Sequence, residues 1–263
     1  MKKSVFISTL GILVLVFLLL PLCITVITSF GTASTIQFPI KGFTLDWFLV
    51  VFQNEAFKNS MIVSLIIGFS SVIVALIIGI PVAYFIARGH FKGKEQLNQF
   101  FLSPSIIPGM VIGYVMFQVI SAQLNLPIFL GLFISHLIIS LPYVIRVVGA
   151  SLTNFDESIE EAAWTLGMTR GETFIKIVLP NIKAGLLSAF LMAFINSFNN
   201  IPVSLFLTGP GVSTLPITLM SYLEFNYDPS VSALSTLLMF LTIIIMLLVE
   251  KLVGISTNTQ TNA

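Results

Sequence analysis

The chain has 263 residues, 56% of them hydrophobic and only 9% charged, where a soluble domain carries roughly 25% charged residues. With a mean hydropathy of +1.03 and a net charge of +1, this composition excludes a soluble globule and argues against a nucleic-acid partner. One integral all-α domain over 1–263 is expected, nearly used up by membrane spans and short loops.

A hydrocarbon layer about 30 Å thick takes roughly 20 apolar residues in helix. Six stretches meet that length, at about 5–30, 60–86, 100–119, 128–149, 183–206 and 230–250. The first follows Lys2 and Lys3, yet its apolar run from Val5 to Phe30 exceeds a signal core and no small-residue cleavage site follows cleanly. It is expected to stay as a span. Cys23 within it is the single cysteine, so no internal disulfide forms, and it reads as a small packing residue. After the first span, Leu45, Phe48, Leu49 and Phe52 recur at helical spacing and predict a short interfacial helix lying against the bundle.

Prolines and glycines punctuate the later spans: Gly79 and Pro81, then Pro104 and Pro108, then Pro142, then Pro202. A proline inside a helix frees a carbonyl and bends the axis, which a membrane tolerates where neighbouring helices or water accept the freed group. Their recurrence favours a bundle that lines a cavity. His136, mid-way through the fourth span, has no second histidine or intramembrane carboxylate nearby, so a packed, hydrogen-bonded histidine is expected and no metal site. Arg88 and Arg146, near inner helix ends, are expected to reach back to the headgroups.

Orientation follows from lysine and arginine. With the N-terminus inside, the inner side collects Lys2, Lys3, Arg88, Lys92, Lys94, Arg146, Arg170, Lys176, Lys183 and Lys251, and the outer loops keep only Lys41 and Lys58. Six spans then place both termini in the cytoplasm. The loop at about 150–182 also falls inside, where Asp156, Glu157, Glu160, Glu161 and Glu172 meet water.

That loop reads as a two-helix elbow. Asn154 is expected to cap a helix over 154–167, with Glu157 completing a capping box. Ile159, Ala162, Ala163 and Leu166 form its apolar stripe, and Gly167 is placed to end it. A second helix from about Arg170 to Val178 is expected to stop at Pro180, just before the fifth span. The small Ala162-Ala163 pair would allow close approach of a partner.

In the outer half of the fifth span, Asn196, Asn199 and Asn200 fall on one helical face. They are either a polar wall on a translocation path or a set of interhelical hydrogen bonds worth roughly 0.6–2 kcal/mol each. Thr208-Gly209-Pro210-Gly211 predicts a turn in the outer loop at 207–229. The polar tail at 255–263 is expected to fray.

The pattern Glu161-Ala162-Ala163, Gly167, Ile177-Val178-Leu179-Pro180 resembles the signature loop of permease subunits in ATP-binding cassette importers. Gly79-Ile80-Pro81-Val82-Ala83-Tyr84, Pro104-Ser105-Ile106-Ile107-Pro108-Gly109 and Leu141-Pro142-Tyr143-Val144-Ile145-Arg146 are similar to features of that family, as are Ser204-Leu205-Phe206-Leu207-Thr208-Gly209-Pro210 and Leu215-Pro216. Together they resemble the second permease of the polyamine, opine and phosphonate branch. The resemblance implies a type I importer permease fold in a bacterial inner membrane. It also implies a coupling role for Glu161, Ala162, Ala163, Gly167, Ile177, Leu179 and Pro180, in contact with two ATP-binding subunits that hold ATP and Mg. A second homologous permease and an extracellular or periplasmic solute-binding protein complete the implied assembly.

Polyamine permeases often place an acidic residue in the segment matching Ser197-Phe198-Asn199-Asn200, where this chain has two neutral amides. That departure favours neutral, zwitterionic or anionic cargo over a polycation. No Gly-x-x-x-x-Gly-Lys phosphate loop and no nucleophile–base pair occur, so the chain is expected not to be an enzyme and to hold no cofactor itself. A secondary transporter driven by an ion gradient would explain the kinked polar helices. It would not explain the docking loop, and it would favour an ionisable group deep in the membrane.

Overall fold

The computed structural model describes residues 5–254. Lys2, Lys3 and the tail at 255–263 lie outside the described residues. Among those described, regular structure is helical, and the only strand-like pairings are isolated bridges joining Gly31 to Phe43 and Gly209 to Val212. The chain divides into two compact units.

One unit combines the chain up to Lys58 with Thr218–Glu250. It holds α1 (Val5–Thr28), α2 (Asp46–Gln53), the first turn of α3 (Glu55–Arg88), most of α12 (Leu215–Phe225) and α13 (Ser230–Gly254). The apolar side chains of α1 are exposed along most of its length, Phe17 and Leu18 among them, as suits a helix whose solvent is lipid. Cys23 is exposed too, so it is not the packing residue expected. At the end of α1, the buried Thr28 hydroxyl donates to Ser232 Oγ at 3.1 Å. The predicted short helix exists as α2, but Leu45, Leu49 and Phe52 face outward and Val51 is the buried residue. Asp228 caps α13 by accepting the Ser230 N–H at 3.0 Å and the Tyr222 hydroxyl at 2.8 Å.

The other unit, Asn59–Ile217 with the chain from Lys251, contains the rest of α3, then α4 (Lys94–Leu102), α5 (Gly109–Met116), α6 (Ile128–Thr153), α7 (Glu157–Thr165), α8 (Arg170–Thr173), α9 (Leu179–Asn181), α10 (Lys183–Phe198) and α11 (Ile201–Ser204). Wide π turns extend α5 through Gln123 and α8 through Val178. Its main core joins Val72 and Ala75 of α3, Val144 and Val148 of α6, and Ala189 and Ala193 of α10. Gly79 lets α3 approach α6 closely: a Cβ there would lie 2.7 Å from Val144 Cγ1, and small residues at such crossings allow tight packing without a hydrophobic drive.

Among the described residues, three helices are long and apolar enough to cross a membrane alone: Ile7–Thr28, Glu55–Arg88 and Ile128–Thr153. The third expected span is not one helix. Lys94–Ser105 and Gly109–Gln123 meet at 88°, because Pro108 lacks an amide hydrogen and adopts an extended ψ of 130° at the cap of α5. The fifth begins at Lys183 as expected, where Arg170–Asn181 and Lys183–Phe198 meet at 73°, but α10 ends at Phe198 instead of reaching 206. The helix over Leu215–Phe225 was not expected within the turn-rich loop, although Gly209 and Val212 do form the predicted turn through reciprocal 2.9 Å hydrogen bonds. α13 opens with the apolar stretch Ser230–Ile245 and continues to Gly254.

Candidate functional site

The elbow between α6 and α10 is where charge, exposure and irregular backbone converge. Asn154 does not cap α7; it closes the end of α6. The cap is Asp156, whose carboxylate accepts the Ser158 N–H at 2.9 Å, because its extended φ/ψ turns the side chain onto the helix end and Asn154 is still helical. That backbone bond holds the Asp156 carboxyl below its ordinary range. Gly167 ends the helix as expected, at φ +89°. Its N–H donates to Trp164 O at 3.0 Å and the Met168 N–H to Ala163 O at 3.1 Å, the paired bonds of a Schellman stop.

The capping box lies on α8, one element later than predicted. The Thr169 N–H donates to Glu172 Oε2 at 3.0 Å, and the Glu172 N–H donates to Thr169 Oγ1 at 3.3 Å. The Thr169 amide, the Thr169 hydroxyl and Lys176 keep the Glu172 carboxyl low. Pro180 does not stop the chain; it sits in the first turn of α9, and the break comes at Ile182. Of the motif residues here, Ile177 and Leu179 are half-buried and Pro180 exposed.

The predicted stripe on α7 does not lie on one environment. Ala163 is buried, whereas Ile159, Ala162 and Leu166 are exposed, Leu166 to 86%. The inward side holds Glu160, only 1% exposed. Arg88 Nε donates to Glu160 Oε1 at 2.7 Å and the Tyr84 hydroxyl donates to Glu160 Oε2 at 2.6 Å. Arg88 Nη1 reaches Glu157 Oε1 at 3.0 Å and Nη2 reaches the Phe155 carbonyl at 2.9 Å. Arg88 therefore does not reach toward headgroups: three acceptor atoms of the loop satisfy it better than an interface would. Arg146 remains exposed. Arg170 lies over the Trp164 ring at 5.4 Å, and with Tyr84, Phe85 and Arg88 these side chains line a cleft of about 470 Å³.

Sequence reasoning missed Tyr84, Arg88 and Glu160. The available signals were the four-residue spacing of Tyr84 and Arg88 at a helix end, and the placement of Glu160 three residues before Ala163 on one face.

Deeper in the bundle, His136 is packed and hydrogen-bonded as expected. Its Nδ1 is 2.8 Å from Ser197 Oγ and its Nε2 is 3.0 Å from Ser204 Oγ. Ser204 gives its own hydrogen to the Asn200 carbonyl at 2.7 Å, so Nε2–H must donate to Ser204 and Nδ1 accepts from Ser197. The helical face assigned to Asn196, Asn199 and Asn200 is interrupted, because α10 ends at Phe198. Asn199 is exposed, Asn196 half-buried, and the Asn200 side chain caps α11 by accepting the Val203 N–H at 3.0 Å. Among the described residues no group of three or more His, Cys, Asp or Glu could hold a metal ion.

Residues 75–255 match the family described as binding-protein-dependent transport system inner membrane component. The chain is similar to the putrescine transport system permease PotI of Escherichia coli, at 28% identity over 85% of this chain and 82% of that protein. It is also similar to the spermidine/putrescine transport system permease PotC of Escherichia coli, at 29% identity over 88% and 87%. In fold it matches a bacterial ABC transporter involved in import of the acidic polysaccharide alginate, with a TM-score of 0.73, 17% identity, and coverage of 94% of this chain and 96% of that one. The architecture is that of a type I ABC importer permease, and such a permease is a transport component and not an enzyme. The chain belongs to the family of inner membrane components of binding-protein-dependent transport systems.

Proposed function

We propose that this permease moves a small polar solute inward and is driven through its 150–182 loop by a separate ATP-binding subunit. The observation that carries this reading is the two-sidedness of α7. Glu160 and Ala163 are buried against the chain's own helices, while Ile159 and Leu166 are exposed. A short helix fixed on one face, with Ile159 and Leu166 exposed beside Glu157 and Glu161 on the other, suits a groove on a partner. In this reading Glu161, Ala162, Ala163 and Gly167 contact the ATPase, and Ile177, Leu179 and Pro180 turn the moving elbow into α10. Closure of two ATP-binding subunits displaces the loops of this permease and of a homologous second one, and the cavity reopens toward a solute-binding protein. Such a motor drives the switch only by binding one state better than the other.

Six spans in one membrane domain, with both termini cytoplasmic, are supported by the lysine and arginine bias, three unbroken apolar helices, two bent pairs and the apolar Ser230–Ile245. The cargo class is a polyamine, phosphonate or opine/amino-acid-like solute. Similarity to putrescine permeases supports the first; the neutral Asn199 and Asn200 support the others. Asn196 and Asn199 are the side chains left for the path, since Asn200 already caps a helix.

The test is ATP hydrolysis by the complex purified through this chain, with its binding protein, against putrescine, spermidine, a phosphonate and amino acids. Gly167→Asp places a side chain at φ +89°, which L-residues rarely adopt. It should reduce solute-stimulated hydrolysis at least tenfold while membrane insertion persists. Full stimulation in that variant, or a complex with no bound ATPase, would sink the coupling reading.

A further inference from the structure

Glu160 lies beside Glu161 of the signature pattern and is turned the opposite way. Glu161 is exposed; Glu160 has both carboxylate oxygens occupied by two residues of the last turns of α3. Tyr84 and Arg88, four residues apart, stand one above the other on that helix. The single Arg88 guanidinium also reaches Glu157 and the Phe155 carbonyl, so it grips α7 both before and within its first turns. Three bonds from one planar group fix orientation as well as distance: α7 can neither slide nor rotate on α3 without breaking them together.

The same turn of α3 also holds the elbow's second arm. The Tyr84 ring packs on Phe174 with centroids 4.7 Å apart, and Phe174 opens the π turn that follows α8. Tyr84 thus touches both arms at once, by its hydroxyl and by its ring. Three residues before it stands Pro81, inside α3. It cannot donate to the preceding turn, which makes this the point where α3 bends most easily. Below it, Gly79 is closely packed on Val144.

We infer that Glu160, held by Tyr84 and Arg88, is a positioning residue that makes α7 and the end of α3 one mechanical unit. Movement of α7 then reaches the bundle through α3, across space, as well as along the chain into α6 and α10. Pro81 is the joint that allows the end of α3 to follow. This rests on the coupling reading above. Arg88→Lys supplies one point charge in place of a fork and cannot hold three acceptors.

The experiment is hydrogen–deuterium exchange on the complex purified through this chain with its ATPase, with and without ATP and vanadate. In the unaltered protein, peptides covering 80–88 and 157–166 change protection together on adding nucleotide. In Glu160→Gln the 157–166 response persists and the 80–88 response falls at least fivefold. Arg88→Lys gives the same split, and Tyr84→Phe, which removes one hydroxyl and keeps the ion pair, a smaller loss in the same direction. An unchanged 80–88 response in Glu160→Gln overturns the inference. So does equal loss of protection in both segments before nucleotide is added, which would mark a purely structural contact that Tyr84→Phe would barely disturb. If the unaltered protein shows no response in 157–166, the coupling reading itself fails, and this inference with it.

Discussion

Glu160 and Leu166 sit six residues apart on one short helix, one buried and doubly bonded, the other almost fully in solvent. Removing one member of a buried ion pair leaves its partner uncompensated, which typically costs about 3–5 kcal/mol. Arg88 keeps Glu157 and the Phe155 carbonyl, so Glu160→Ala should cost about 3 kcal/mol, the low end of that range, read as a lowered unfolding midpoint in detergent. Leu166→Ser should leave stability within about 0.5 kcal/mol while weakening ATPase retention on purification. His136→Leu strands the Ser197 hydroxyl, while Ser204 keeps its bond to the Asn200 carbonyl, and should cost about 1–2 kcal/mol. His136 was readable from the sequence because a lone histidine among apolar residues must find hydroxyl partners. Glu160 was not, because its partner Arg88 lies 72 residues away and no local pattern pairs them.

At the scale of elements, the caps decide where the elbow begins and turns. Asp156 and Glu172 both have carboxyl groups lowered by backbone N–H bonds that favour the charged form. A lowered folded value means that each cap is in place above the ordinary carboxylate range and is lost as pH falls through the lowered value. Amide exchange at Ser158 and Thr169, the two amides that these carboxylates accept from, corrected for intrinsic rates, should therefore accelerate on acidification, and Asp156→Asn should flatten that dependence at Ser158. No change at either amide would show that the caps do not hold these helix ends in solution. Gly167 was legible as a stop, because its place after an amphipathic run is a local rule. The cap at Asp156 in place of Asn154 was not, since α6 runs on to Thr153 and the choice depends on where a long helix ends. The same holds for the broken third span. Pro104 and Pro108 announce a kink, but only packing sets it at 88°.

For the whole molecule, the charge bias makes a sidedness prediction. With Cys23 replaced by Ser, Ser158→Cys should react with an impermeant maleimide only after cells are opened, and Asn226→Cys should react in intact cells. Both positions are exposed. The reverse pattern would invert the topology. The sequence by itself determined that this is an all-helical membrane chain carrying a charged two-helix elbow. Hydropathy, lysine placement and capping chemistry act over a few turns and can be read along the chain. Only the tertiary structure decided that α7 is tied to α3 through Glu160, that the third expected span is bent, and that Asn200 caps a helix rather than joining Asn196 on one face. Those outcomes depend on which distant groups satisfy one another's hydrogen bonds once water is excluded, and that matching is set by the packing of helices far apart in sequence.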